Sequence, residues 1–151
     1  MVLEAGDPAP EVTARNQHGE SVAIDADGPT VVYFYPRDDT PGCTIEAKQF
    51  ELERATYDDA GVTILGVSTD SVESHAAFCD AYDLSFDLLA DPDGTLADAF
   101  DVPLNRNTAA RTTFVLLDGE IHAVYTDVNP DGHARDILSD LLEEGIVSLP
   151  E

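Results

Sequence analysis

Val31-Val32-Tyr33-Phe34-Tyr35-Pro36-Arg37-Asp38-Asp39-Thr40-Pro41-Gly42-Cys43-Thr44-Ile45-Glu46 is the stretch around which the chain is organised. Its first five residues are all β-branched or aromatic. An apolar run that short, closed by a proline, predicts a strand buried on both faces. From Thr44 the pattern becomes helical, with Ile45, Gln49, Phe50 and Leu52 on or near one stripe and Ala47, Lys48 and Glu51 as good helix formers. Cys43 is therefore expected where a buried strand ends and a helix begins. Free backbone N–H groups and the positive end of the helix dipole both favour a thiolate there. Pro41 and Gly42 are expected to form the turn over the helix start. Thr40 places a hydroxyl three residues before the sulfur, within reach of whatever the sulfur binds.

Length and composition predict one domain over residues 1–151, large enough to bury a core. No run approaches membrane-spanning length, and the first ten residues lack a basic region followed by an apolar stretch, so the expected location is cytoplasmic. Two cysteines are too few for a disulfide scaffold and suit redox chemistry better. There are 31 acidic residues against seven basic, and the net charge is −24. Such a surface repels nucleic acid and anionic membrane, so neither is an expected partner. It also repels itself unless salt screens it. Lys48 is the one lysine, and the acids are spread along the chain without an acidic tail. This pattern suits a high-salt, halophilic cytoplasm.

Turn residues Asn16 to Glu20 between Val12–Ala14 and Ser21–Ile24 predict an N-terminal hairpin. The Cys43 helix is expected to stop near Gly61, and Val62 to Val67 to form a buried parallel strand, giving a βαβ unit. Ser71 is read as the cap of a helix over Val72 to Tyr82, with Val72, Ala76 and Cys79 sharing a face. Asp87 to Ala90 is a short strand and Thr95 to Phe100 a short helix. Asn105 to Ala110 reads as polar loop. Asp118-Gly119 between Thr112–Leu117 and Ile121–Asp127 is a strong hairpin signal. A last helix carries Ile137, Leu138, Leu141 and Leu142 on one stripe. The fold class is α/β: an α/β/α sandwich around a mixed central sheet.

The string Tyr-Pro-x-x-x-Thr-Pro-Gly-Cys-Thr-x-Glu-Ala, from Tyr35 to Ala47, resembles the peroxidatic-cysteine motif of peroxiredoxins, in detail that of the bacterioferritin-comigratory-protein or PrxQ branch. Leu65 to Ser71, Leu88 to Asp91 and Arg111 to Phe114 follow in the family's order. The resemblance implies a thioredoxin-like fold and a thiol-dependent peroxidase acting on hydrogen peroxide and organic hydroperoxides through Cys43. It further implies that a thioredoxin-type reductant recycles the enzyme and that no cofactor is needed. Cleaving a peroxide requires an ionised sulfur, donors that hold both oxygens in line, and a cation for the leaving oxygen. Thr40 and the backbone around Gly42 and Cys43 can donate. The family's pattern implies that Arg111 reaches under the cysteine, a role suited to a planar guanidinium. It also implies that Pro36 shields the sulfur, and gives Glu46 a supporting place in the first helical turn.

Many members of the branch carry a second cysteine five residues after the first, but here that position is Lys48. The residues between Phe100 and Arg111 also form a shorter segment than the family's. Some members place the resolving cysteine on the later helix, which implies an intramolecular Cys43–Cys79 disulfide. The alternative is a one-cysteine peroxidase with Cys79 structural, on a core face with Val72 and Ala76. A binding or holdase protein that kept the fold and lost turnover is the reading from another class. A thiol–disulfide oxidoreductase would carry Cys-x-x-Cys where Cys43 is followed by Thr44, Ile45 and Glu46. His75 and Cys79 have a spacing that can hold zinc, but too few further ligands accompany them, so no metal is expected. The expected state is a monomer, with a weak dimer as the alternative.

Overall fold

The computed structural model describes residues 3–24, 28–126 and 128–148. Its centre is β3 (Thr30–Phe34), every residue of which is buried, as the apolar run predicts. β4 (Thr63–Ser68) runs parallel to β3, and β5 (Asp87–Ala90) runs parallel to β4. On the other side β8 (Thr112–Leu117) pairs antiparallel with β3, Phe34 facing Thr112 and Thr30 facing Leu116. β9 (Glu120–Tyr125) continues from β8 through Asp118-Gly119, both in the left-handed region that a two-residue turn demands. Asp127, included in the expected strand, lies outside the described residues. The predicted N-terminal hairpin forms as β1 (Thr13–Arg15) and β2 (Ser21–Ala23) and joins the sheet at Arg15 and Ala90. The seven strands lie in the order β2-β1-β5-β4-β3-β8-β9.

Among the described residues four helices cover this sheet: α1 (Pro41–Asp59), α2 (Val72–Tyr82), α3 (Thr95–Ala99) and α4 (His133–Glu143). Side chains alternate across the strands. Val31, Tyr33, Ile64, Leu88 and Val115 pack with Phe50, Phe78, Ile137 and Leu138 under α1, α2 and α4. Val32, Phe34, Leu65, Leu89 and Phe114 pack with Leu96 and Phe100 on the opposite face, under α3. The mixed sheet between helical layers is the expected sandwich. At Gly66 a Cβ would fall 2.7 Å from Leu88 and 2.9 Å from the Tyr33 ring, so only glycine leaves room there for both side chains.

Two expectations are corrected. Residues 105–110 are not wholly loop, because β6 (Leu104–Asn105) and β7 (Thr108–Ala109) form a small antiparallel hairpin. Its turn residues, Arg106 and Asn107, both have positive φ, at 52° and 62°. That is the backbone of a two-residue hairpin turn made without the glycine that normally signals it. Pro41 and Gly42 are not a turn before the helix but its first two residues. A proline fits there because the first helical N–H has no partner to lose.

Candidate active site

β3 delivers the chain to α1 at its buried end, and Cys43 is the third residue of that helix, 2% exposed. Thr40 is the N-cap residue with extended backbone, and its carbonyl accepts the first helical bond, from Thr44 N at 2.8 Å. Its hydroxyl does not turn to the helix but donates to the carbonyl of Arg37 at 3.0 Å. The N–H groups of Gly42 and Cys43 precede that first bond and so have no helical acceptor. Pro36, half-buried, closes the strand just before this loop.

Arg111 stands immediately before β8. Because β8 is antiparallel to β3, its first residue, Thr112, pairs with the last of β3, Phe34. This register brings a side chain 68 residues away in sequence to the sulfur: Arg111 Nη2 donates to Cys43 Sγ at 3.4 Å. Its Nη1 donates to Glu46 Oε1 at 2.6 Å. Glu46, one turn beyond the cysteine on the inner face of α1, is fully buried. Burial pushes its carboxyl up to about 7, although Arg111 pulls the other way. Its second oxygen, Oε2, finds no hydrogen-bond partner among the described residues. Burial disfavours the charge on Arg111, but Glu46 and Cys43 outweigh it and raise the guanidinium's pKa. Gly42 leaves the space this needs, since a Cβ there would lie 3.2 Å from Arg111 Nη2 and 3.5 Å from Pro130 Cγ. Thr113, next on β8, is bonded to the buried ring of His133 (Nε2 to Oγ1, 2.9 Å). Burial holds that imidazole down at about 4, and nearby Arg111 works in the same direction.

Cys79 lies on α2 and, like Cys43, is a free thiol. It is 8% exposed, in the same core cluster as Cys43. Burial pushes its thiol up to about 12, with Asp38, Asp87 and Glu51 adding to the rise. The buried face of α2 is His75, Phe78 and Cys79, not the expected Val72, Ala76 and Cys79; Ala76 is exposed. The reason is polar. His75 Nδ1 lies 2.7 Å from Asp38 Oδ2, and its Nε2 lies 3.0 Å from the carbonyl of Leu89. Asp38, a charged loop residue, is buried. It also accepts from Tyr35 Oη at 2.6 Å and Ser74 Oγ at 2.8 Å, while its own N–H donates to Asp70 at 2.7 Å. Asp38, Asp70 and His75 bring ligand atoms within 4.8 Å of one another. Protein hydrogen bonds already occupy them, and Cys79 is not among the group. No periodicity marks this network, because its members come from a loop, a strand end and a helix.

The site thus joins Cys43, Arg111 and Glu46, with Thr40 capping the helix beneath them. A sulfur beside a fixed cation and open backbone donors can attack an electrophile and stabilise charge on the group that leaves. Among the described residues no helix is long and apolar enough to cross a membrane.

A model of the AhpC/TSA family matches residues 5–124. Peroxiredoxin Bcp of Bacillus subtilis is 36% identical, over 93% of this chain and 96% of that protein. The structure of a cysteine-to-serine mutant of Xylella fastidiosa PrxQ superimposes with a TM-score of 0.89 at 28% identity, covering 95% of this chain and 98% of that one. The Xanthomonas campestris bacterioferritin comigratory protein, whose complexes with trapped intermediate and ligand bear on its alkyl peroxide reduction activity, superimposes with a TM-score of 0.86 at 32% identity, over 93% and 99% of the two chains. Peroxiredoxin Q of Xanthomonas campestris is known as two cysteine-to-serine mutants whose positions are 36 residues apart, the separation of Cys43 and Cys79 here.

Proposed function

Because the chain belongs to the AhpC/TSA family, as a thioredoxin-fold peroxiredoxin of the Bcp/PrxQ branch and hence a thiol-dependent peroxidase, we propose that Cys43 is its peroxidatic sulfur and Arg111 the cation that serves it. The thiolate attacks one peroxide oxygen, an S–O bond forms as O–O breaks, and Cys43 becomes a sulfenic acid. The other oxygen leaves as hydroxide or alkoxide and takes a proton from water. Arg111 Nη2 stabilises the thiolate and then the charge on the departing oxygen. Helix-start N–H groups hold the substrate in line, joined by the Thr40 hydroxyl once it turns from the Arg37 carbonyl, and Pro36 keeps bulk water from the sulfur. The observation that carries this reading is the contact of Arg111 with Cys43 at 3.4 Å, locked from behind by Glu46.

Hydrogen peroxide and organic hydroperoxides are the proposed substrates, the latter supported by the activity named for the Xanthomonas relative. Cys79 is the proposed resolving thiol. Its sulfur attacks the sulfenic sulfur, S–S forms, S–O breaks, and water leaves with the thiol proton. A thiol held near 12 is a poor nucleophile where it lies, so part of α2 must open first. The cysteine separation shared with the Xanthomonas protein supports this role. A thioredoxin-type reductant then reopens the disulfide. We place this chemistry in a single-domain, monomeric enzyme of a salt-rich cytoplasm, on the strength of its charge.

The test is stoichiometric. Reduced protein should consume one equivalent of hydrogen peroxide and then stop, and turnover should resume on addition of a thioredoxin with its reductase. Cys43→Ser should abolish the first step. Consumption by Cys43→Ser at the wild-type rate would move the chemistry elsewhere.

A further inference from the structure

The loop that leads to Cys43 and the helix that carries Cys79 are fastened to each other at two points. One is buried: His75 Nδ1 lies 2.7 Å from Asp38 Oδ2, with side-chain exposures of 0% and 4%, and Ser74 Oγ donates to the same oxygen at 2.8 Å. Both ring nitrogens of His75 are engaged, one by the Asp38 carboxyl and the other by the Leu89 carbonyl at 3.0 Å. The other point is exposed: Tyr82 Oη donates to Asp39 Oδ1 at 2.7 Å. Cys79 lies between these points. Past Tyr82, α2 ends at Asp83 in the left-handed region, at φ 53°, without glycine's freedom. The end of α2 beyond Cys79 is therefore weakly held, and the end before it strongly held. Opening the buried pair would leave polar groups without partners away from water; opening the exposed Tyr82 contact would not.

We propose that His75 is a positioning residue for the resolving step: its pair with Asp38 stays closed as a pivot while the C-terminal half of α2 unwinds and carries Cys79 to Cys43. This rests on Cys79 being the resolving thiol. The pair shortens the segments that must find each other. From the pivot, the arms are Asp38 to Cys43 and His75 to Cys79, five and four residues. Without it and the Ser74 bond beside it, the nearest fixed point is the Asp38 N–H bonded to Asp70 at 2.7 Å. The arms then become five and nine residues, Asp38 to Cys43 and Asp70 to Cys79. Closure of a loop about half as long again is slower by about twofold from chain entropy alone.

The experiment mixes reduced full-length protein with one equivalent of hydrogen peroxide, quenches in acid at intervals, and reads sulfenic acid and disulfide by mass spectrometry. His75→Gln, made together with Ser74→Ala so that no side chain of α2 still holds Asp38, should form sulfenic acid at the wild-type rate but close the disulfide about twofold more slowly, with a matching rise in sulfinic acid at high peroxide. Tyr82→Phe, which frees only the far end of the helix, should close at least as fast as wild type. Closure in the double variant as fast as wild type, or faster, overturns the pivot. Wild-type protein tests the same point by amide hydrogen exchange, should the double variant fail to fold. In the disulfide form Ser74 and His75 should keep their protection while residues 80–83 lose theirs, and equal loss along α2 overturns the proposal. Absence of any Cys43–Cys79 disulfide in wild type overturns the resolving role of Cys79 itself. A disulfide with unchanged kinetics in the double variant overturns the pivot alone.

Discussion

Arg111 shares its guanidinium between Cys43 and Glu46: one terminal nitrogen stands 3.4 Å from the sulfur, the other 2.6 Å from a carboxylate with no exposure to water. The arrangement needs a fork. An ammonium could meet the sulfur or the carboxylate from a single point, but not both along two fixed directions. Arg111→Lys is therefore expected to keep its far-UV circular dichroism and lose about two orders of magnitude in the second-order rate with peroxide. Stopped-flow loss of the Cys43 thiol measures it. A rate within twofold of wild type would remove Arg111 from the mechanism.

Gly42 tests the same geometry from the other side. Its backbone is ordinary helix, so alanine is not strained there. The new methyl would press on Arg111 Nη2 at 3.2 Å and on Pro130 at 3.5 Å. Gly42→Ala is expected to slow peroxide attack several-fold while leaving the thermal midpoint nearly unchanged. An unaltered rate would mean that the guanidinium can move aside and still serve the sulfur.

Much of this site was legible in the sequence. The strand before Pro36, the helix after Thr40 and the hairpin at Asp118-Gly119 each follow from a local signal, because burial, capping and turn chemistry act over a few residues. The motif from Tyr35 to Ala47 pointed to Cys43, and the resemblance pointed to Arg111. Asp38 and His75 were hidden for a physical reason. A charged residue reads as solvent-facing until its partner is known, and that partner lies 37 residues away on another element. The burial of Glu46 was hidden in the same way. The β6–β7 hairpin escaped because Arg106-Asn107 adopts a backbone usually announced by glycine.

Two buried groups pull the pH dependence of stability in opposite directions. Glu46 titrates near 7 in the fold against an ordinary 4.5, so the native state holds its proton more tightly. That stabilisation is complete below pH 4.5 and is lost as pH rises through 7. His133 titrates near 4 against 6.5, so its contribution is present above pH 6.5 and is lost as pH falls through 4. In Glu46→Gln only the second slope remains. The variant should gain stability over wild type progressively between pH 4.5 and 7, by up to about 3 kcal/mol. Urea unfolding at half-unit pH steps measures the gap; a gap constant with pH would show that Glu46 stays ionised throughout.

Stability should also rise with salt. At −24 the compact state repels itself, and screening relieves that at separations beyond the Debye length. The thermal midpoint is expected to climb from dilute buffer to molar KCl. A midpoint that is flat or falling would reject the high-salt reading of the composition.

The antiparallel pairing of Phe34 with Thr112 also decides when in its own synthesis the chain brings Cys43 and Arg111 together. A ribosome releases Cys43 long before Arg111, and a chain stopped after β5 would hold the thiol without the guanidinium. The cation arrives only when β8 docks beside β3, one of the longest-range pairings of the central sheet. On the proposed roles of Cys43 and Arg111, a nascent chain carries an ordinary cysteine, and the oxidant-sensitive sulfur comes into being with the finished sheet.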